Sequence, residues 1–358
     1  KDYDYAGNAT RATDGLCAMS CPLNINTGDN TKYLRSQAIT PTTRKVARLL
    51  ARNMNGVTGV MRVGLGAVDG VHGFFGSRIM NSLAKGAHNV SRSNIPLWNS
   101  WMPSKGSHKI KPLPPMQRTG EDLKVVYFPS CISRSMGPAR KDRDQRPLNE
   151  VMCSILAKAG YEVIIPSGLD KLCCGMPWES KGFFDIADEK SAELERVLIK
   201  ASQNGRYPIV CDTSPCLYRM KRSFKSGIEL HESVEFVHDF LLHRLDIRKV
   251  LETIAVHVTC SSIKMQLSDK FKAVAEACAE KVIFPDDVHC CGFAGDKGFT
   301  YPELNNSALA GLKSSLTDDC TAGYSNSRTC EIGLSAHSGL SYQSLMYLVD
   351  RCANPLGK

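Results

Sequence analysis

No stretch of the 358-residue chain approaches the roughly 18 consecutive apolar residues that a membrane-spanning helix requires. No charged, apolar and small-residue succession of a secretory leader opens it either. Neither a membrane span nor export is expected, and the composition is that of a soluble globular protein placed in the cytoplasm. The chain also does not begin with Met: it starts Lys1-Asp2-Tyr3-Asp4-Tyr5, as expected of a processed protein or a piece cut from a longer one. A dinucleotide fingerprint is missing. Its nearest approach, Gly64-Leu65-Gly66-Ala67-Val68-Asp69-Gly70, has Asp at the third Gly position and no strand before it, which excludes that site. Acidic residues are scarce in one place. Between Thr31 and Gly120 there are fourteen Lys or Arg and a single acid, Asp69, so this segment carries +13 of a chain whose net charge is +9. Such a surface either meets an anionic lipid or acidic partner or is a solvated helix face, and the solvated reading is preferred; nucleic acid is not expected.

Cysteine is abundant instead, at fifteen residues, an odd number. A disulfide scaffold belongs to small secreted domains with poor cores, whereas 358 residues suffice for a large core and two or three domains, so metal or redox use is the better reading. Two vicinal pairs organise the chain: Leu172-Cys173-Cys174-Gly175-Met176-Pro177 and His289-Cys290-Cys291-Gly292-Phe293-Ala294-Gly295. Adjacent Cys side chains diverge along the backbone and rarely bridge to each other, so thiolates set this close read as metal ligands. The Gly after each pair, lacking Cβ, permits a sharp turn or close backbone approach.

Around these pairs the sequence repeats. The first unit reads strand Lys124–Phe128, Cys131, a helix near 148–159, strand Val163–Pro166, the first pair, a helix near 187–202, strand Pro208–Val210, then Cys211-Asp212-Thr213-Ser214-Pro215-Cys216. The second reads strand Ile254–Thr259, Cys260, a helix near 265–280, strand Val282–Phe284, the second pair, then Ser325-Asn326-Ser327-Arg328-Thr329-Cys330, with Ser325 where Cys211 stood. One half thus offers five clustered cysteines and the other four. Short buried strands alternating with amphipathic helices predict an α/β fold with parallel sheets, whose ligands bind outside the carboxyl ends of the strands. Cys153, Cys278 and Cys352 fall within apparent helices among apolar residues and read as buried core thiols; Cys320 is left open. His257 reads as a structural strand residue, and Asp296, Lys297 and Glu303 as surface or helix-start charges.

Before the repeats, residues 31 to 90 read as helical, with Val46, Leu49, Leu50, Val57, Val60 and Met61 mostly at helical spacing and Lys45, Arg48 and Arg52 on another face. Residues 91–122, rich in Pro, Ser and Lys, read as a linker anchored by Trp98 and Trp101. At the N-terminus, Cys17-Ala18-Met19-Ser20-Cys21-Pro22 is the C-x3-C-P tail of a bacterial ferredoxin run, in which the last Cys serves a partner cluster. Counting back places Asp14 and Arg11 where two earlier Cys would stand. Asp14 could give iron a carboxylate oxygen; the guanidinium of Arg11 cannot ligate.

The repeated order of Cys, Cys-Cys-Gly and a terminal Cys resembles the cysteine-rich CCG domain of iron-sulfur oxidoreductases, as in heterodisulfide reductases and the iron-sulfur components of glycolate oxidase and lactate utilisation. The strings DGLCAMSCPLNINTGD, CCGFAGDKGFTYPELNNSAL and GYSNSRTCEIGLSAHSG resemble more closely the C-terminal half of FAD-dependent respiratory D-lactate dehydrogenases. The resemblance implies two tandem CCG units with short parallel sheets after a mainly helical ferredoxin-like segment: 1–34 ferredoxin-like, 35–90 basic helical, 91–122 linker, 123–249 first CCG unit, 250–358 second. It implies one iron-sulfur centre on Cys131, Cys173, Cys174, Cys211 and Cys216 and another on Cys260, Cys290, Cys291 and Cys330, with Cys17, Cys21 and Asp14 as further metal ligands. Electrons would come from FAD on an upstream domain or flavoprotein subunit and pass to a quinone or cytochrome-type acceptor, with peripheral contact to the inner membrane. In that family a Cys occupies the position of Arg11, so the N-terminal site is incomplete here. The alternatives are a separate glycolate-oxidase-like or heterodisulfide-reductase-like iron-sulfur subunit, and a zinc-binding structural or docking module, because four thiolates suit zinc as readily as iron.

Overall fold

The computed structural model describes residues 3–91, 97–117, 122–285 and 288–357. Arg118, the last residue of the basic stretch, and Lys1 and Asp2 lie outside the described residues. The fold is mixed α/β, with two four-stranded parallel sheets. The first is built from β1 (Lys124–Phe128), β2 (Glu162–Ile164), β3 (Ile209–Cys211) and β4 (Leu230–Glu232), in the order β2-β1-β3-β4. The second is built from β5 (Val250–Val256), β6 (Ala279–Ile283), β7 (Cys320–Ser325) and β8 (Tyr342–Ser344), in the order β6-β5-β7-β8. The two orders are the same, so the repetition in sequence is a repetition of topology.

The strands are short, and the inner ones of each sheet are buried on both faces over most of their length, as parallel sheets require. Side chains alternate accordingly. Val125 and Tyr127 of β1, Val210 of β3, and Ile254 and Val256 of β5 enter one core shared by both units, together with Met152, Phe236, Phe271 and Leu348. The opposite faces feed separate cores: Val126, Phe128, Ile209 and Cys211 in the first unit, Ala255 with Phe293, Ile332 and Tyr342 in the second. The second cysteine of each vicinal pair and the terminal cysteine lie on these outer cores.

Several elements differ in extent from the sequence reading. The second unit's first strand starts earlier, at Val250, and stops at Val256; the predicted 265–280 helix is shorter, Ser268–Cys278, and a separate short helix, Cys260–Lys264, precedes it. The break contains Gln266, whose φ of 60° is left-handed. Residues 64–70 lie inside the helix Met54–Val90, which is kinked at Gly76 (φ 73°). The segment after it is not all linker. Trp98 and Trp101 are buried, Trp98 edge-on to His72 at 4.7 Å, and Pro103–Lys105 pairs antiparallel with Met136–Ala139.

The helix Pro41–Arg52 begins with Pro41 and is capped by Thr40, whose hydroxyl accepts from the Thr43 N–H. Its Ala47 and Ala51 pack on Phe183 and Ile186, and Arg44 and Arg48 pair with Asp185. No described helix is long and apolar enough to cross a membrane.

Candidate functional site

Each unit starts its site the same way. Ser130 caps the short helix Cys131–Ser135 by accepting from Ser133 N–H at 3.1 Å, and Thr259 caps Cys260–Lys264 by accepting from Ser262 N–H at 3.4 Å. Cys131 and Cys260 are thereby fixed as the first helical residue beyond a strand end. The pair that follows the second strand is turned by a left-handed glycine, Gly175 at φ 89° and Gly292 at φ 68°. In both units that glycine's N–H donates to the first sulfur of the pair at 3.4 Å, Cys173 in one and Cys290 in the other. The close approach explains why no larger residue stands there. A Cβ on Gly175 would lie 2.3 Å from Ala187 O, and one on Gly292 2.3 Å from Leu304 O. The terminal cysteine of each unit sits in the first turn of the helix after the third strand, Cys216 in Ser214–Ser223 and Cys330 in Arg328–Ser338.

The sulfurs converge. In the first unit Cys131 meets Cys173, Cys173 meets Cys174, and Cys174 meets Cys216, with Cys211 near Cys174 and all five buried. In the second, Cys260 meets Cys290, Cys290 meets Cys291, and Cys291 Sγ is 2.9 Å from Cys330 Sγ. Among the described residues no group of three or more His, Cys, Asp or Glu side chains forms a ready metal cage. The donor chemistry nevertheless fits a thiolate-bound metal. The hydrogen bond to Cys173, then burial, pushes the Cys131 thiol well above its usual range, and burial does the same to Cys211. Cys216 is pulled down by Cys174, yet burial wins and raises it to about 12. Several buried neighbouring thiols ionise together only when cationic charge enters among them, which is what iron or zinc supplies. Cys290 is the exception. Hydrogen bonds from Cys260, then Cys291, and the Gly292 N–H favour its thiolate.

Asp14 and the two N-terminal cysteines are not gathered together. The Asp14 carboxyl lies beside Cys290, and its main-chain oxygen accepts from Lys264 Nζ at 2.7 Å. Cys17 is exposed and contacts Thr27 Oγ1 at 3.2 Å, while Arg11 donates to the same Thr27 hydroxyl. Cys21 is partly exposed. Cys153, Cys278 and Cys352 are buried, Cys352 Sγ donating to Cys278 O at 3.2 Å, and Cys320 is buried with its sulfur on Ala322 O. Lys297, read as a surface charge, instead donates to Asn8 O and Ala9 O.

The structure adds residues that sequence patterns did not single out. Arg134 is fully buried, donating to Pro129 O at 3.3 Å, to Leu172 O and to Asp170 Oδ1 at 3.1 Å, so it ties the first cysteine's helix to the loop entering the pair. Asp212 accepts from Tyr127 OH at 2.8 Å and from Ser130 N–H at 3.0 Å, holding Cys211 and Cys131 in register. Where the second unit lacks a fifth cysteine, Ser325 Oγ lies 3.2 Å from His257 Nδ1; His257 is buried, and its Nε2 has no partner among the described residues. The repeat in the sequence already shows Ser325 at the place of Cys211; what the fold adds is its buried His257 neighbour. Ser214 Oγ bonds Thr259 Oγ1 at 2.7 Å, and Asn326 Nδ2 donates to Glu232 Oε1 at 2.8 Å, joining the units through buried polar contacts.

Residues 125–221 match the cysteine-rich domain family designated CCG, so such a domain is present over the first unit. No curated protein matches the chain. Thus the first cysteine set stands in an iron-sulfur or metal-binding module.

Proposed function

We propose that this chain is the iron-sulfur electron-transfer portion of an FAD-linked D-2-hydroxy acid dehydrogenase of the D-lactate type. The observation that carries the reading is the double convergence of thiols, five and four, at strand ends of two units with the same topology. Cys131, Cys173, Cys174, Cys211 and Cys216 would hold one centre and Cys260, Cys290, Cys291 and Cys330 the other. Bound there, such centres supply one-electron uptake and release at potentials set by burial and hydrogen bonding to sulfur. The chain's own contribution is to bury the sulfurs, to direct the Gly175 and Gly292 N–H groups at Cys173 and Cys290, and to exclude water with the apolar walls of both outer cores. FAD and the hydroxy acid would be held by a flavin domain or flavoprotein subunit, and the domain limits given above describe the proposed division of labour.

The test is reduction of the anaerobically iron-loaded chain, followed by its visible bleaching. D-lactate alone is expected to leave it oxidised, and D-lactate with the cognate flavoprotein to bleach it. Turnover of an artificial dye by the chain with no flavoprotein, or no bleaching with it, overturns the reading.

A further inference from the structure

The two units pair the same positions across their first and third strands and fill them differently. In the first, Phe128 of β1 stands opposite Cys211 of β3, and both lie in the outer core with Cys174 and Cys216. Phe128 stands three residues before Cys131 and Cys211 five before Cys216; the same spacing from Cys260 and Cys330 leads to His257 and Ser325. The ladder agrees: Val256 stands opposite Tyr324, and the His257 N–H donates to Tyr324 O at 2.9 Å, one residue past the end of β5. His257 follows Ala255 by two residues, so extended backbone turns its ring to the same face, towards the outer core that holds Cys291 and Cys330.

The ring is held there as a ligand is held. His257 is 2% exposed, and the Ser325 hydroxyl donates to its carbonyl oxygen at 3.0 Å. That hydroxyl has one proton to give, so its oxygen accepts from Nδ1–H, 3.2 Å away. Burial holds the ring neutral, and a neutral imidazole protonated at Nδ1 carries its lone pair on Nε2. Nε2 is buried and has no hydrogen-bond partner among the described residues. An orphaned buried acceptor is costly, and the first unit shows that Phe fills this position, so the nitrogen is retained for a use. The Cys290 thiolate acts electrostatically on the same ring. One nitrogen tied to a hydroxyl and the other left with a free lone pair is the arrangement that orients a metal-binding histidine.

We propose that His257 Nε2 is the fifth donor of the second centre, in the role that Cys211 has in the first. The assignment rests on the reading of both cysteine sets as iron-sulfur centres. A neutral imidazole in place of a thiolate removes one negative charge, and this favours the reduced state, as the two histidines of a Rieske centre raise its potential. The second centre therefore stands at the higher potential. One electron at a time leaves the first centre, which is oxidised, and enters the second, which is reduced, so the inequality of the two halves sets the direction of flow.

The experiment is pulsed EPR of the full chain, loaded with iron without oxygen, partly reduced, and prepared with ordinary histidine or with histidine carrying the heavy nitrogen isotope. A redox titration of the same samples accompanies it. The parent should show an isotope-sensitive coupling to a directly bound nitrogen. His257→Phe, which installs the first unit's residue, should abolish that coupling while circular dichroism stays that of the parent. Combining His257→Phe with Ser325→Cys copies the first unit's pair, and should keep full iron, show no nitrogen coupling and shift the higher midpoint down towards the lower. No coupling in the parent, coupling that survives His257→Phe, or a double variant that loses the second centre or keeps the parent's midpoints overturns the assignment. Iron and sulfide analysis separates the two ideas: a chain that loads both sets but shows no nitrogen coupling refutes the histidine alone, whereas one that loads no iron refutes the centres on which it depends.

Discussion

Substituting Gly175 by Ala probes why a glycine follows the cysteine pair. At φ 89° an L-residue incurs the left-handed penalty, about 1–2 kcal/mol. The new Cβ would also stand 2.3 Å from Ala187 O, on the buried face of the Phe184–Ala201 helix, where the backbone cannot yield cheaply. Overpacking of this kind adds about 1–3 kcal/mol, giving about 2–5 kcal/mol in all against a usual domain stability of about 5–15 kcal/mol. Gly339 supplies the control: its φ is 82°, but nothing lies within 4 Å of a Cβ there, so Gly339→Ala should cost only the first component. Urea unfolding of the metal-free variants, with iron loading measured afterwards, is the assay. Gly175→Ala should unfold at clearly lower urea than Gly339→Ala and load less iron. Equal midpoints for the two, or full iron loading by Gly175→Ala, would refute the argument that the pair needs this close turn.

Other outcomes follow from the same geometry. Cys174→Ser and Cys291→Ser should each lower iron content and thermal midpoint, whereas Cys17→Ser, on an exposed thiol outside both cysteine sets, should change neither much; iron and sulfide assays with thermal scans check all three. Arg134→Met removes charged donors from Pro129 O and Leu172 O and should cost about 2–4 kcal/mol in urea unfolding. Glu252 is held to about 2 by its hydrogen bond to Arg143, then by Arg351, so the stability it contributes is complete above the ordinary Glu range near 4.5 and is lost as pH falls towards 2. The difference in thermal midpoint between the parent and Glu252→Gln should therefore be largest near pH 5 and shrink towards about pH 2.5. Adsorption of the chain to phosphatidylglycerol vesicles should weaken between about 50 and about 300 mM salt in sedimentation assays, as screening of the exposed Lys and Arg requires.

The sequence displayed the fold most clearly where patterns were local. Alternating strands and helices, and cysteines at strand ends, were enough to read two parallel units, because both depend on neighbouring residues and on the two-residue period of a buried strand. Strand and helix limits were less legible: whether Cys260–Lys264 continues into Ser268–Cys278 is decided by Gln266 turning left-handed, which no composition rule requires. The cysteines were legible as a set because thiols cluster in sequence. Arg134 was not, since what makes it important is total burial among main-chain oxygens distant in sequence. Spacing associates Asp14 with Cys17; that tertiary packing also sets its carboxyl beside Cys290, distant in sequence, is visible only in the folded chain. A groove beside Cys131 is equally hidden, because its walls come from segments separate in sequence.

The most direct measurement is metal and acid-labile sulfide analysis of the full chain, purified and reconstituted without oxygen, together with its visible spectrum before and after dithionite. Iron-sulfur ligation by both cysteine sets predicts a brown protein that contains iron and sulfide, bleaches on reduction, and loses about half its iron when either Cys174 or Cys291 is replaced by Ser. A colourless chain that binds zinc and no sulfide would contradict it.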